Sequence, residues 1–157
     1  MPQAPQVIQL LTDTAGSFIH SEAASAAGSA IVPGMLIEEL AAGTVQEHST
    51  AAGNAQKLFA LSDLSNAGDI DTAYAAGALV RYGAAHSGQE VYALLAANAA
   101  AIVKGDPLES DGDGTLRVQT TAAATADTER DSVVGYALEA VDNSAGGTTV
   151  RIKVRVA

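Results

Sequence analysis

The clearest pattern of hydrophobic and polar positions lies at the end of the chain. Between residues 149 and 156, apolar residues alternate with basic ones: Val150, Ile152, Val154 and Val156 against Arg151, Lys153 and Arg155. Side chains of a strand point alternately to its two faces, so each set occupies one face. The pattern predicts a strand at Thr149–Val156 with one buried and one solvent-facing side.

Shorter apolar runs, separated by turn residues, occur from Ile31 onward. They predict further strands at residues 35–37, 43–48, 56–61, 79–82, 90–95, 116–119 and 133–141. Ala96–Ala101 is either a helical turn or a small-residue crossover. Because no long amphipathic helix is present, we predict a mainly β fold: a small β-barrel or sandwich of short strands with little helix.

The first thirty residues differ in character from the rest. Met1–Gln6 carries two prolines and no charge, which predicts an extended N-terminal arm. Val7–Leu11 is apolar and is either the first strand of the domain or an adhesive part of that arm. Thr12–Ala30 is small and polar without a clear period, which predicts a loop. We therefore divide the chain into an arm and flexible segment, 1–30, and a β-rich domain, 31–157.

Composition restricts the possible partners. The hydrophobic fraction is 48%, but alanine supplies much of it and tryptophan is absent, so the core is thin and subunit contacts are expected to add stability. The net charge of −10 disfavours nucleic acid and anionic membranes as partners. No apolar run is long enough to span a bilayer, and no basic residue precedes Lys57, so we expect neither a membrane span nor a secretory signal. Without cysteine, the chain is suited to synthesis in a cytoplasm.

Candidate chemical groupings favour structural interpretations. Residues 109–114 space three acids like the opening of a calcium loop, but the twelfth position is Thr120 rather than glutamate, which predicts a solvated hairpin turn. His20, His48 and His86 lack the spacing of a zinc motif. No nucleophile motif or phosphate loop is present. We therefore predict no catalytic residue, no metal and no cofactor, and we expect that the chain is not an enzyme.

Two charged features in the C-terminal half have alternative interpretations. Glu139 lies within an apolar run and is either a buried acid or, more simply, the partner of a basic residue across the sheet. Arg151, Lys153 and Arg155 form a basic stripe. This stripe is either a solvated face or a contact to acids of a partner surface or a neighbouring subunit.

The order of motifs from Val80 to Ala157 resembles a known family. A strand reading VYALLA is followed by IVKGDPL, then by VVGYALEAVDN, and finally by the basic-alternating strand. In this order they resemble the head decoration (cement) proteins of tailed bacteriophages. The resemblance implies a structural virion protein, made in the host cytoplasm, that binds the outer surface of the capsid. It also implies a homotrimer that clamps neighbouring major capsid protein subunits and stabilises the expanded head.

In the family that the chain resembles, N-terminal arms often become ordered only on the capsid. By that resemblance the capsid-binding residues are Gln6, Val7, Ile8, Gln9, Leu10 and Leu11, whose backbone can add to an exposed sheet edge. Residues 44–74 do not align with the family pattern. The alternative function is a small β recognition module of a phage fibre or surface protein, which attaches to a glycan or host. Such sites usually present aromatic platforms, and aromatic residues are few here.

Overall fold

The fold consists of short β-strands. A computed structural model describes residues 7–11, 19–26, 28, 30–63, 69–120 and 132–157. Its strands are β1 (Gln9–Leu11), β2 (Ile19–Ala24), β3 (Leu36–Glu39), β4 (Val45–Glu47), β5 (Leu58–Ala60), β6 (Leu79–Ala84), β7 (Glu90–Leu95), β8 (Pro107–Ser110), β9 (Leu116–Val118), β10 (Gly135–Ala137) and β11 (Val150–Val156). The predicted mainly β class is confirmed.

The strands form two sheets, each pairing almost wholly antiparallel. The N-terminal sheet has the order β2-β6-β5-β3-β4, and the C-terminal sheet has the order β1-β7-β11-β10-β8-β9. A parallel contact between Leu95 of β7 and Leu116 of β9 closes five strands of the C-terminal sheet into a ring. A parallel bridge between Ser25 and Val45 likewise joins the two ends of the N-terminal sheet. Joined ends reduce the number of open strand edges.

The last strand follows the predicted alternation. Ile152, Val154 and Val156 are buried, whereas Arg155 is exposed and Lys153 is half-buried. β11 pairs with β7 along six consecutive positions, from Val150↔Leu95 to Arg155↔Glu90. The most regular sequence pattern therefore produces the longest strand, at the centre of the C-terminal sheet.

Buried apolar side chains form two clusters. The larger one joins the sheets, because Leu36 and Phe59 of the N-terminal sheet pack with residues of the C-terminal sheet such as Leu95 and Ile152. The smaller one lies on the other face of the N-terminal sheet and includes Ile37, Leu58, Ala60, Val80 and Tyr82. Because both faces of β5 are covered, three consecutive residues of that strand are buried.

Two strands were not expected from the sequence. The prediction of a loop throughout residues 12–30 is wrong at Ile19–Ala24, which forms β2 and pairs with β6 over six positions. The side chains of β2 are exposed on both faces, so no apolar period reveals the strand. β8 begins with Pro107, a residue that strands accept at their first position. Both β1 and β2 lie on the N-terminal side of the predicted boundary at residue 30. β1 pairs with β7 and β2 pairs with β6, so each pairs with a strand on the other side.

The predicted strand at Val133–Val141 is too long. Regular pairing covers only Gly135–Ala137, after which the chain bends, and Val141 instead forms a bridge with Ile102. The change of partner ends the strand although the apolar run continues. The segment Ala96–Ala101 contains a turn at Ala97 and Asn98 and no helix. The small-residue crossover is therefore the correct alternative.

Candidate interaction surfaces

The apolar segment before residue 12 is a strand within the fold. Ile8 is buried in the core that joins the sheets, and its carbonyl accepts a hydrogen bond of 2.7 Å from Tyr92 N. Gln9 and Leu11 pair with Val91 and Glu90 at the outer edge of the C-terminal sheet. Of the six predicted capsid-binding residues, Gln6 lies outside the described residues and Val7 is exposed. The strand alternative is thus correct for Gln9–Leu11, whereas capsid binding by this segment stays a prediction.

Arg151, the first residue of the basic stripe, links β11 to two loops that connect strands of the N-terminal sheet. Its guanidinium donates to Asp71 Oδ1 from Nε at 3.1 Å and from Nη2 at 3.0 Å, and it also donates to the carbonyls of Pro33 and Ile70. The same group lies 5.8 Å from the centre of the Tyr92 ring. Only 9% of this side chain is exposed, so Arg151 binds groups of its own chain rather than a partner.

The other two members of the stripe also pair with acids of their own chain. Lys153 Nζ lies 3.5 Å from Glu139 Oε2, and Lys153 N donates to Glu139 Oε1 at 3.0 Å. Arg155 Nη2 donates to Glu90 Oε1 at 2.8 Å. The cross-sheet partner predicted for Glu139 is therefore confirmed. The stripe has its charge balanced within the chain, and its contact with an acidic partner stays a prediction.

Gly34 makes the approach of Arg151 possible. Its φ is +90°, and a Cβ atom there would lie 2.7 Å from Arg151 Nη1 and 2.8 Å from Tyr92 O. We expect Gly34→Ala to lower the free energy of unfolding by more than about 1 kcal/mol, measured by urea denaturation, because it adds both backbone strain and a clash. Gly43→Ala is the matched control, since Gly43 has φ +78° and open space at the Cβ position. Equal losses in the two variants would contradict the proposed clash.

The acidic segment 109–114 is the predicted hairpin turn, but its first residue is buried. β8 and β9 pair antiparallel on either side of the turn. Glu109 is 1% exposed, and its Oε1 accepts from Arg117 Nε at 3.0 Å and from Thr120 N and Oγ1 at 3.2 and 3.0 Å. Arg117 also donates to Asp111 Oδ1 at 2.8 Å. This buried ion pair was missed; the available signal was an acid and an arginine at facing positions of a predicted hairpin.

The three histidines lie in different environments. His48 is buried, with Nδ1 2.8 Å from Ser110 Oγ and Nε2 3.3 Å from Asn54 O. His20 and His86 are exposed, on β2 and in the turn before β7. Within the described ranges, no group of three or more His, Cys, Asp or Glu side chains could hold a metal ion. The polar atoms around His48 thus belong to the packing of the hairpin.

Two tyrosine hydroxyls are also used inside the fold. Burial raises the pKa of Tyr74, whose hydroxyl donates to Leu61 O at 2.8 Å. Burial, together with the hydrogen bond to Glu39, raises the pKa of Tyr82; that bond is 2.5 Å long. Both phenols therefore remain protonated beyond the ordinary range of tyrosine. Their hydroxyls hold the N-terminal sheet together rather than facing a ligand.

Sequence comparison does not assign the chain to a family. No protein-family model matches the chain, and no curated protein matches it. In the part of the chain that the structure describes, no helix has the length and apolar character needed to cross a membrane. Function must therefore be inferred from the residues and their arrangement.

Proposed function

We propose that this chain is a structural virion protein that binds the outer surface of a phage capsid and cements neighbouring major capsid protein subunits. One observation supports this most directly: the segments that resemble decoration proteins are neighbours in space. They contain β7, β11, β10 and β8, which follow one another in the C-terminal sheet. Motifs that resemble one family and also form one continuous sheet are better evidence for a common scaffold than the same motifs scattered over a fold.

The proposed mechanism is binding without chemistry. A protein that binds the expanded capsid better than the unexpanded or dissociated one stabilises the expanded state by mass action. The strand β1 is last in the hydrogen-bonded order of its sheet, so its outer edge has no strand partner among the described residues. A strand of the major capsid protein can add to such an edge, with Val7, 54% exposed, beside it.

A homotrimer is part of this proposal. A closed three-fold assembly needs two complementary patches on each subunit. Subunit contacts would supplement a core that contains one described phenylalanine, Phe59, and many alanines. On a shell, the three copies would also be held by the capsid subunits that they share.

The alternative, glycan or host attachment by a fibre module, has less support. Aromatic platforms are the usual means of binding sugars, and most of the described aromatic side chains are buried. Tyr74, Tyr82 and Phe59 are buried, and Tyr136 is the one aromatic among the exposed large apolar side chains of the described residues. A single exposed tyrosine does not form a platform.

Copy number in purified virions tests the proposal. We expect hundreds of copies, near the number of major capsid protein subunits, located as trimers on the outer surface in a reconstruction of the head. A few copies at a tail or fibre would instead support the attachment module. Absence from the virion would contradict both functions.

A further inference from the structure

The strand β2 has an edge that is open at His20 and Glu22, before the bridge between Ser25 and Val45. Ser25 N donates to Ala78 O at 2.9 Å, toward β6, whereas Ala26 N donates to Val45 O at 2.7 Å, in the opposite direction. Backbone groups alternate in direction along an antiparallel strand. Ile19, Ser21 and Ala23 therefore bond toward β6, and the N–H and C=O groups of His20, Glu22 and Ala24 point away from it. The bridge between Ser25 and Val45 occupies the end of this edge, next to Ala24 and Ala26. Before that bridge, no strand of the described residues pairs with His20 and Glu22 on this side.

Open strand edges readily pair with another chain, and proteins usually protect them. The side chains of β2 leave this edge accessible: five of the six are exposed, and Ile19 is 61% exposed. β2 contains no proline or lysine, the residues that most often block an edge. The edge is thus suited to pairing, and its side chains determine the partner.

We propose that this edge binds the same edge of a second copy of the chain, antiparallel about a two-fold axis at Ser21. In this register His20 faces Glu22 of the other copy, and Glu22 faces its His20. On the opposite face of the ribbon, the exposed Ile19 faces the small Ala23 of the other copy and is covered by it. A two-fold axis repeats each contact, so one favourable pair occurs twice.

Charge disfavours one neighbouring register. Moving the axis to Glu22 places the two Glu22 carboxylates opposite each other, and like charges at facing positions are destabilising. In the favoured register Glu22 lies between Arg81 of its own chain and His20 of the other copy. Arg81 Nε is 3.5 Å from Glu22 Oε1. The edge is thus complementary to itself, which favours a second copy over an unrelated strand.

This contact is independent of capsid binding and differs in symmetry from the three-fold contact of the proposed function. It forms between free chains and does not require a shell. Free-chain measurements therefore test it without any capsid, and failure of either idea leaves the other intact.

Sedimentation velocity of the free full-length protein over a range of concentrations tests the contact. We expect a monomer–dimer equilibrium in the wild type. Glu22→Pro should abolish the dimer, because it removes an outward N–H and its ring obstructs the edge, while no bond to β6 is lost. His20→Glu should weaken the dimer by about tenfold or more, since both symmetric pairs become repulsive. His20→Lys should keep or strengthen it.

His86→Glu is the matched control, because it makes the same charge change on an exposed histidine elsewhere and should leave the dimer unchanged. Circular dichroism and thermal melting confirm that each variant is folded. If Glu22→Pro does not fold, the effect of His20→Glu on the dimer tests the proposal alone. A wild-type protein that is monomeric at about 1 mM overturns the proposal. So does a free assembly, dimer or trimer, whose size is unchanged by both His20→Glu and Glu22→Pro.

Discussion

Phe59→Ala is expected to lower the free energy of unfolding by about 3–5 kcal/mol. The Phe59 ring is fully buried and lies in the cluster that joins the two sheets, on a strand that is covered on both faces. Its loss leaves a cavity that neighbouring β-strands, fixed by hydrogen bonds, cannot close. Since domains of this size are stable by only about 5–15 kcal/mol, the loss removes from about a fifth to all of the stability. Urea denaturation followed by circular dichroism measures the difference.

Val103→Ala is the matched control for this variant. Val103 is a large apolar residue that is 60% exposed, so its truncation should change stability by less than about 0.5 kcal/mol. A loss below about 1 kcal/mol for Phe59→Ala would contradict a core shared by the two sheets. It would mean that the sheets are stabilised separately.

Arg117→Met is expected to destabilise the protein by about 3 kcal/mol, because it leaves the Glu109 carboxylate buried without its cation. Glu109 is 1% exposed, and its remaining partners among the described residues are neutral, namely Thr120 and a hydroxyl contact from Ser132 at 3.4 Å. Hydrogen bonds from neutral groups offset only part of the cost of burying a charge. Urea denaturation at pH 7 measures the effect.

Arg155→Met is the matched control, since the same substitution there breaks an ion pair that water reaches. The Arg155 side chain is 55% exposed, and such pairs contribute at most about 1 kcal/mol. The double variant Glu109→Leu with Arg117→Met should recover much of the lost stability, because it removes the stranded charge as well as its partner. Equal losses for Arg117→Met and Arg155→Met would contradict a special role for the Glu109 pair.

The sequence predicted those parts of the fold in which local pattern and burial agree. In β11 the alternation of valine or isoleucine with basic residues reports one buried face, and in β7 the run at Glu90–Leu95 has the predicted bounds. In β2 the side chains are exposed on both faces, so its pairing depends on backbone bonds that leave no mark in the sequence. Such a strand is visible only when its neighbour is known.

The charged residues show the same limit. Alternation led to the prediction of a basic partner across the sheet for Glu139, and Lys153 is that partner, although Glu139 lies in the bend after β10 rather than at a paired position. Arg151 has the same pattern as Lys153 and Arg155 but bonds to Asp71 and to carbonyls some eighty or more residues away in sequence. Periodicity within a strand says which face a side chain occupies, and not what lies above that face. Partners from distant loops therefore require the three-dimensional structure.

Binding of the purified protein to empty heads tests the proposed cementing function most directly. Heads of the phage that the proposal takes to encode this chain are prepared without the protein, in the unexpanded and the expanded state, and binding is measured by co-sedimentation. We expect saturable binding to expanded heads, at a copy number near that of the major capsid protein, with much weaker binding to unexpanded heads and a higher temperature of head disruption after binding. Equal binding to both states, or no binding to either, would contradict the proposal that this chain stabilises the expanded head.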